Sequence, residues 1–280
     1  MTDKRVLTLQ DISCMGQCSI TVALPIISAC GVETIILPSA VLSTHTGGFK
    51  DFSFRDLTED IPTIMNHWIN EGIKFDCLYT GYLGNIEQID YVKDIKKSLL
   101  TKDAMVIVDP AMADLGKLYK GFDDDFVKHM AKLCSEADII LPNITEIAFM
   151  TGNDVVLENH TEDYILKLLN DMADFGPKKI ILKGIRYKSD EIGIAIFDCH
   201  DKTIQYYFTE RIDKSSHGTG DCYAAAFTGA LMQGKSEYEA SSIAADFVVK
   251  CIKATLDDPT HWYGVKFERA LPQLVSIINS

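Results

Sequence analysis

Residues 215–221 of the chain read Ser-Ser-His-Gly-Thr-Gly-Asp and run directly into a stretch of small, helix-compatible residues. Gly218 and Gly220 allow a tight turn that brings backbone N–H groups close to an anion, and the helix start adds a partial positive charge. The pattern therefore predicts a phosphate cradle. A short glycine motif with a capping aspartate is equally typical of an ordinary turn, so the rest of the sequence has to decide between the two interpretations.

A carboxylate at an anion-binding helix start has a clear use in phosphoryl transfer. An alcohol is a weak nucleophile at neutral pH, and a carboxylate that accepts its proton helps it to attack. The N–H groups of the turn meanwhile hold the transferring phosphoryl group and its developing charge. We therefore predict that Asp221 is the catalytic base and that Gly218, Thr219 and Gly220 form the anion hole, with Thr219 also contacting phosphate.

A second group of oxygen-bearing side chains consists of Asp109, Asn143 and Glu146. Asn143 and Glu146 are three residues apart at a predicted strand-to-helix junction, so their side chains can face the same pocket. Hard oxygen ligands of this kind suit Mg²⁺ that is held largely through water. The same spacing also fits a helix cap in which Asn143 is the first residue and Glu146 the third, and the two interpretations are compatible.

The elements that must position these residues follow from the alternation of short apolar runs with helical patterns. The runs are continuously apolar, which is typical of parallel strands covered by helices on both faces. Residues 192–197 and 203–208 instead predict an antiparallel hairpin. We expect one α/β domain over residues 1–280, with a mostly parallel central sheet. Ligands of such sheets bind beyond the carboxyl ends of the strands, and the polar residues found there are Asp11, Ser13, His45, Thr46, Tyr82, Asp109, Asn143, Glu146, Lys183 and Gly184.

The composition narrows the class of protein. The formal net charge of −13 argues against nucleic acid as a partner, because phosphate backbones select basic surfaces, while it leaves a nucleotide substrate open. No apolar stretch of about 18 residues and no basic, apolar leader is visible, so we expect a soluble cytoplasmic protein without membrane contact. The eight cysteines lack the close pairs of a zinc site, which predicts reduced and mostly buried thiols.

Taken in order, these motifs resemble those of the pyridoxal kinases in the ribokinase superfamily, over nearly the whole chain. The Gly-Thr-Gly-Asp motif is typical of the superfamily, and the His-Thr-Gly and Thr-Gly-Tyr motifs are similar to its vitamin B6 branch. The matching segments are a first strand ending near Gly16 and residues 43–47, 80–82, 108–110, 143–146 and 218–221.

The resemblance implies a three-layer α/β/α ribokinase-like fold, usually as a homodimer. It implies transfer of the ATP γ-phosphate to the 5′-hydroxyl of pyridoxal, pyridoxine or pyridoxamine, with Mg²⁺ and commonly K⁺. By position, Thr46 and Tyr82 would contact the pyridine ring, and Asp109 and Glu146 the phosphate and metal. Asn143 would contact a triphosphate oxygen, and residues 114–119 would form a mobile flap.

The chain departs from the family pattern at two places. Gln10-Asp11 stands where many relatives have Gln-Ser, so the ring-nitrogen contact is open between Asp11 and Ser13. Lys183-Gly184, which we assign to ATP or phosphate binding, is similar to hydroxymethylpyrimidine kinases. Those kinases typically carry cysteine in place of Asp221, which favours the vitamin B6 branch. His45 either orients a substrate hydroxyl or is a hydrogen-bonded structural histidine.

Two other functions remain as alternatives. One is a hydroxymethylpyrimidine kinase, and the other is a catalytically silent protein that binds a B6 vitamer on a kinase fold. The combination of base, anion hole and metal-side carboxylates disfavours the silent binder, which could lose Asp221 without penalty. A dehydrogenase is disfavoured because the turn after the first strand lacks the Gly-x-Gly-x-x-Gly pattern.

Overall fold

The computed structural model describes residues 4–214 and 216–279, in which the chain forms two compact units. The first unit comprises residues 1–104 and 212–280, and the second comprises residues 105–211. Ser215, the first residue of the predicted cradle motif, lies outside the described residues. A single domain over residues 1–280 stays a prediction.

The first unit is built on parallel strands with helices between them. Its sheet has the order β4-β1-β2-β3, in which β1 is parallel to both β2 and β4, and the short β3 is antiparallel to β2. The elements are β1 (Arg5–Ser13), α1 (Ile20–Ala29), β2 (Glu33–Leu42), β3 (Phe54–Asp56), α2 (Asp60–Asn70), β4 (Phe75–Thr80), α3 (Ile86–Ser98), α7 (Thr219–Met232), α8 (Glu237–Lys253), a 3₁₀ turn (Phe267–Arg269) and α9 (Leu271–Ile278).

Strand β1 shows how the sequence sets up the site in this unit. Val6, Leu7 and Leu9 are fully buried, as expected for a strand covered on both faces. The register with β2 then shifts between Gln10 and Ile12, so the irregularity falls at Asp11. Such bulges re-aim side chains and are common beside active sites. The strand therefore delivers Asp11 at the carboxyl end of the sheet.

The second unit combines parallel and antiparallel strands. Strand β5 (Leu100–Val108) runs into it, and the order there is β11-β10-β9-β8-β5, with β5, β8 and β9 parallel and β9, β10 and β11 antiparallel. The remaining elements are β6 (Ala113–Asp114), β7 (Lys117–Leu118), α4 (Asp124–Ser135), β8 (Ile139–Ile140), α5 (Ile144–Thr151), α6 (Glu162–Ala173), β9 (Lys179–Ile185), β10 (Glu191–Asp198) and β11 (Ile204–Glu210).

The predicted α/β class with mostly parallel strands is confirmed, and so is the antiparallel hairpin, now β10 and β11. All eight cysteines are free thiols and five of them are buried, as expected. Within residues 4–214 and 216–279, no helix has both the length and the apolar character needed to cross a bilayer.

Candidate functional site

The predicted anion turn begins helix α7. Gly218 is the N-cap residue and has a left-handed backbone with φ of 76°, and Asp221 lies in the first helical turn. The first intrahelical bond runs from the Cys222 N–H to the Gly218 carbonyl at 2.9 Å. Among the described residues no side chain caps this N-terminus. Since the first N–H groups of any helix lack partners inside it, the turn has the donors that an anion needs.

The anion turn packs directly on the loop that follows β1. A Cβ atom added to Gly218 would lie 1.7 Å from the Gln17 carbonyl oxygen and 3.6 Å from Cys18 Sγ. The first of these distances is far inside van der Waals contact, so only glycine fits at position 218. Two segments about 200 residues apart in sequence thereby hold each other in place.

Asp11 is held at the end of β1 by its neighbour Ser13. Asp11 is 5% exposed and accepts a hydrogen bond from Ser13 Oγ at 2.9 Å. Burial raises the pKa of the Asp11 carboxyl, and Ser19 and Ser13 oppose that rise. Burial, with a smaller contribution from the Asp221 carboxylate, raises the pKa of the Cys18 thiol. The sequence reasoning missed Cys18 and Ser19, since no local motif distinguishes them.

His45 has the hydrogen bonds of a structural histidine. Its Nδ1 accepts from the Gly47 N–H at 3.0 Å, and its Nε2 lies 2.7 Å from the Tyr263 carbonyl oxygen, which assigns the proton to Nε2. Burial lowers the pKa of His45, so the ring is held neutral. The predicted substrate residue Thr46 is exposed on the turn that His45 fixes.

Tyr82 follows β4 in the same unit and is half-buried. Burial, with a smaller contribution from the Asp11 carboxylate, raises the pKa of Tyr82 to about 12. The phenol is therefore protonated at neutral pH and presents an aromatic ring with a hydroxyl donor.

In the second unit, Asp109, Glu146 and Lys183 form a buried charged cluster. Lys183 Nζ lies 2.8 Å from Asp109 Oδ2, and only 14% and 7% of these side chains are exposed. Burial raises the pKa of Glu146, the neighbouring Asp109 raises it further, and Lys183 opposes both. Lys183 and Gly184 belong to β9, where Gly184 has a φ of 90°. A largely buried lysine that is ion-paired with one carboxylate is suited to an exchange of partners when a phosphate arrives.

The cap interpretation of Asn143 and Glu146 is confirmed. Asn143 Oδ1 accepts from the Glu146 N–H at 2.9 Å, and Glu146 Oε2 accepts from the Asn143 N–H at 2.8 Å, which completes a capping box at the start of α5. The other Glu146 oxygen accepts from the Met112 N–H at 3.3 Å. The metal and triphosphate roles of these residues stay predictions.

The predicted flap takes the form of a small hairpin. Strands β6 and β7 pair around Leu115 and Gly116, both of which have positive φ. Asn143 Nδ2 donates to the Ala113 carbonyl at 2.8 Å, and the Gly116 N–H donates to Thr145 Oγ1 at 3.1 Å. The start of α5 therefore anchors the base and the tip of the hairpin.

An uncapped glycine turn followed by a carboxylate, on an α/β fold, fits the class of kinases that phosphorylate small molecules. The chain belongs to the phosphomethylpyrimidine kinase family, whose model matches residues 20–264.

Individual relatives carry two kinds of names. A Bacteroides thetaiotaomicron protein, named as a candidate phosphomethylpyrimidine kinase and crystallised with pyridoxal, is 32% identical, with a TM-score of 0.91 over 98% of this chain and 96% of that chain. Pyridoxal kinase PdxY of Actinobacillus pleuropneumoniae is 26% identical over 80% of each chain. The hydroxymethylpyrimidine/phosphomethylpyrimidine kinase of Bacillus subtilis is 28% identical over 84% of this chain and 85% of its own.

Proposed function

We propose that the protein transfers the γ-phosphate of ATP to the 5′-hydroxyl of pyridoxal, pyridoxine or pyridoxamine. The observation that carries the proposal is Asp221 in the first turn of α7, directly after the anion turn at Gly218. Two comparisons support the choice of substrate, namely the similar Bacteroides protein crystallised with pyridoxal and the relative named pyridoxal kinase.

The chemistry assigned to the first unit is proton acceptance and charge stabilisation. The substrate hydroxyl oxygen forms the new bond to the γ-phosphorus, its proton passes to the Asp221 carboxylate, and the bond from the γ-phosphorus to the ADP oxygen breaks. The N–H groups of Gly218, Thr219 and Gly220 stabilise the charge on the transferring phosphoryl oxygens. Asp11, Ser13, Thr46 and Tyr82 bind the ring.

The second unit is assigned to ATP and its metal ion. Asp109, Asn143, Lys183 and Gly184 would contact the triphosphate. In the described part of the chain no group of three or more His, Cys, Asp or Glu side chains could hold a metal by itself. Two carboxylates with substrate phosphates and water nevertheless fit the way proteins hold Mg²⁺.

Asp109 and Glu146 are not equivalent as candidates for Mg²⁺. Both Glu146 oxygens already accept backbone N–H groups, so Glu146 would act through water while Asp109 would approach the ion. A bound Mg²⁺ would supply neutralisation of the triphosphate charge. We propose K⁺ as a second cation and a homodimer as the assembly, to be checked by activity in K⁺ against Na⁺ buffers and by light scattering.

The test of the function is phosphorylation of each B6 vitamer by the wild-type protein and by Asp221→Asn. We expect Asp221→Asn to lower kcat by on the order of 10²–10⁴, the usual effect of losing a positioned base, with ATP binding retained. A variant that keeps most of its turnover would remove Asp221 from the mechanism. Calorimetric titration with a non-hydrolysable ATP analogue serves as the control for intact nucleotide binding.

Two observations favour a second substrate. They are the resemblance of Lys183-Gly184 to hydroxymethylpyrimidine kinases and the Bacillus subtilis relative named hydroxymethylpyrimidine/phosphomethylpyrimidine kinase. Hydroxymethylpyrimidine is a flat heteroaromatic ring with the same primary alcohol. Parallel kinetics with the three vitamers and hydroxymethylpyrimidine decide between the two. We expect the higher kcat/KM for a vitamer, and a clear preference for the pyrimidine would overturn the substrate while leaving the kinase chemistry in place.

A further inference from the structure

The loop that follows β2, residues 45–49, is covered by rings from two other segments of the first unit. A Cβ atom added to Gly47 would lie 2.5 Å from His217 Cε1. A Cβ atom added to Gly48 would lie 2.9 Å from Trp262 Cζ3. Both distances are well inside van der Waals contact, so the two glycines provide the space that the rings occupy.

Trp262 contacts this loop at two consecutive residues. Besides Gly48, it packs on Phe49, with the ring centroids 4.6 Å apart and the planes tilted by 45°. Gly48 has φ of 83°, a backbone conformation that favours glycine, so the chain path and the indole above it both select glycine at this position. The indole itself is 47% exposed. It therefore covers the turn from the solvent side.

The connection between α8 and the 3₁₀ turn gives Trp262 a fixed base. Thr255 is fully buried, and its Oγ1 accepts from the Lys266 N–H at 2.9 Å, which joins the two ends of the connection. Tyr263, next to Trp262, has its carbonyl oxygen 2.7 Å from His45 Nε2. The connection thus holds the loop after β2 through a backbone carbonyl as well as through the indole.

We infer that Trp262 is a positioning residue, whose indole holds the 45–49 loop in the conformation that binds the substrate ring. The inference rests on the proposed function, because it assigns a support to Thr46, a proposed contact of that ring. Without the indole, Gly48 and Phe49 lose the ring above them, and a turn that contains glycine gains conformations when its contacts are removed. Ordering the turn again on binding costs free energy, which raises KM for the ring substrate but not for ATP.

The kinetic test compares Trp262→Ala and Trp262→Phe with the wild type, with pyridoxal as the varied substrate. We expect Trp262→Ala to raise KM for pyridoxal by about two- to tenfold, the effect of one aromatic pair, with kcat and KM for ATP unchanged. Trp262→Phe, which keeps a ring over Gly48, should recover most of the wild-type KM. Leu256→Ala should match the wild type and is the matched control, because Leu256 is 43% exposed in the same connection. A KM for pyridoxal that is unchanged in Trp262→Ala, or that rises equally for ATP, overturns the inference.

Limited proteolysis tests the positioning without catalysis. Lys50 is exposed and directly follows the loop, so the rate of tryptic cleavage after Lys50 reports how often the loop opens. Cleavage should be faster in Trp262→Ala, return toward the wild-type rate in Trp262→Phe and stay at that rate in Leu256→Ala. The rates are compared at a temperature at which urea-induced unfolding shows every variant to be folded.

The two failures are distinguishable. Equal rates of cleavage after Lys50 in the wild type and Trp262→Ala overturn the positioning role, whichever substrate the protein uses. A wild-type protein that phosphorylates no vitamer, with cleavage still faster in Trp262→Ala, overturns the proposed function and leaves the support of the loop by Trp262 in place.

Discussion

Substitution of Gly218 by alanine tests whether the anion turn depends on its contact with the loop after β1. An L-residue in the left-handed region costs about 1–2 kcal/mol. The added Cβ would also lie 1.7 Å from the Gln17 carbonyl oxygen, so one of the two backbone segments must move by more than an ångström. Overpacking of a fitted site typically costs about 1–3 kcal/mol more. The free energy of unfolding of Gly218→Ala should therefore fall by about 2–5 kcal/mol.

The assay is urea-induced unfolding of the wild type and the variant, with kcat measured at 25 °C on the folded protein. We expect kcat to fall as well, because displacement of Gly218 moves the anion turn and Asp221 in the first helical turn after it. Gly220→Ala is the matched control, since a Cβ at that position meets nothing within 4 Å and the backbone N–H is retained. It should keep wild-type stability to within about 0.5 kcal/mol. Equal stability of Gly218→Ala and Gly220→Ala would refute the reasoning.

Three further changes probe the second unit. Glu146→Ala should lower the free energy of unfolding by about 0.5–2 kcal/mol through loss of the capping box, which denaturation measures. If Glu146 also serves the metal, the Mg²⁺ concentration for half-maximal activity should rise, which a metal titration measures. Lys183→Ala, which leaves Asp109 without its ion-pair partner, should raise KM for ATP, and an unchanged KM would argue against a phosphate contact. Burial lowers the pKa of His160, whose Nδ1 accepts from the Arg186 N–H at 2.8 Å. The neutral ring therefore stabilises the fold above the ordinary pKa of 6.5, and this contribution to stability is lost as the pH falls. The drop in melting temperature from pH 7 to pH 5 should accordingly shrink in His160→Gln and persist in His129→Gln, which alters an exposed histidine.

Elements with a strong local pattern were predictable. The antiparallel pair after β9 follows from two β-rich runs around a short polar turn. Helix α4 was not predicted although Asp123 signals its start, since the Asp123 side chain accepts the N–H groups of Asp125 and Phe126. The two-residue strands β6 and β7 are too short to produce a periodic pattern.

The site was predictable where a motif carries its own chemistry. The glycine turn and the cap formed by Asn143 and Glu146 depend on neighbours in sequence, and both appear as the spacing indicates. Contacts between distant segments could not be predicted in this way. The backbone of Gly218 packs against the Gln17 carbonyl, about 200 residues away in sequence, and the positive φ of Ser19 follows from no local pattern.

The geometry of the first unit also bears on whether Asp11 or Ser13 would contact the ring nitrogen of the substrate. Ser13 Oγ donates to Asp11 Oδ2, so the two candidates form one hydrogen-bonded pair rather than alternatives. The Asp11 carboxylate thus has one of its oxygens occupied inside the protein, while burial raises its pKa. A carboxyl in this condition can accept from a protonated ring nitrogen or, when protonated itself, donate to a neutral one. Because a buried polar group left without a partner is costly, a ring whose nitrogen cannot match the Asp11–Ser13 pair is rejected more strongly than a ring of the wrong size. On the proposed function, the choice between a pyridine and a pyrimidine ring would then depend on the protonation of Asp11, in addition to the preference that Asp221 indicates for the vitamin B6 branch.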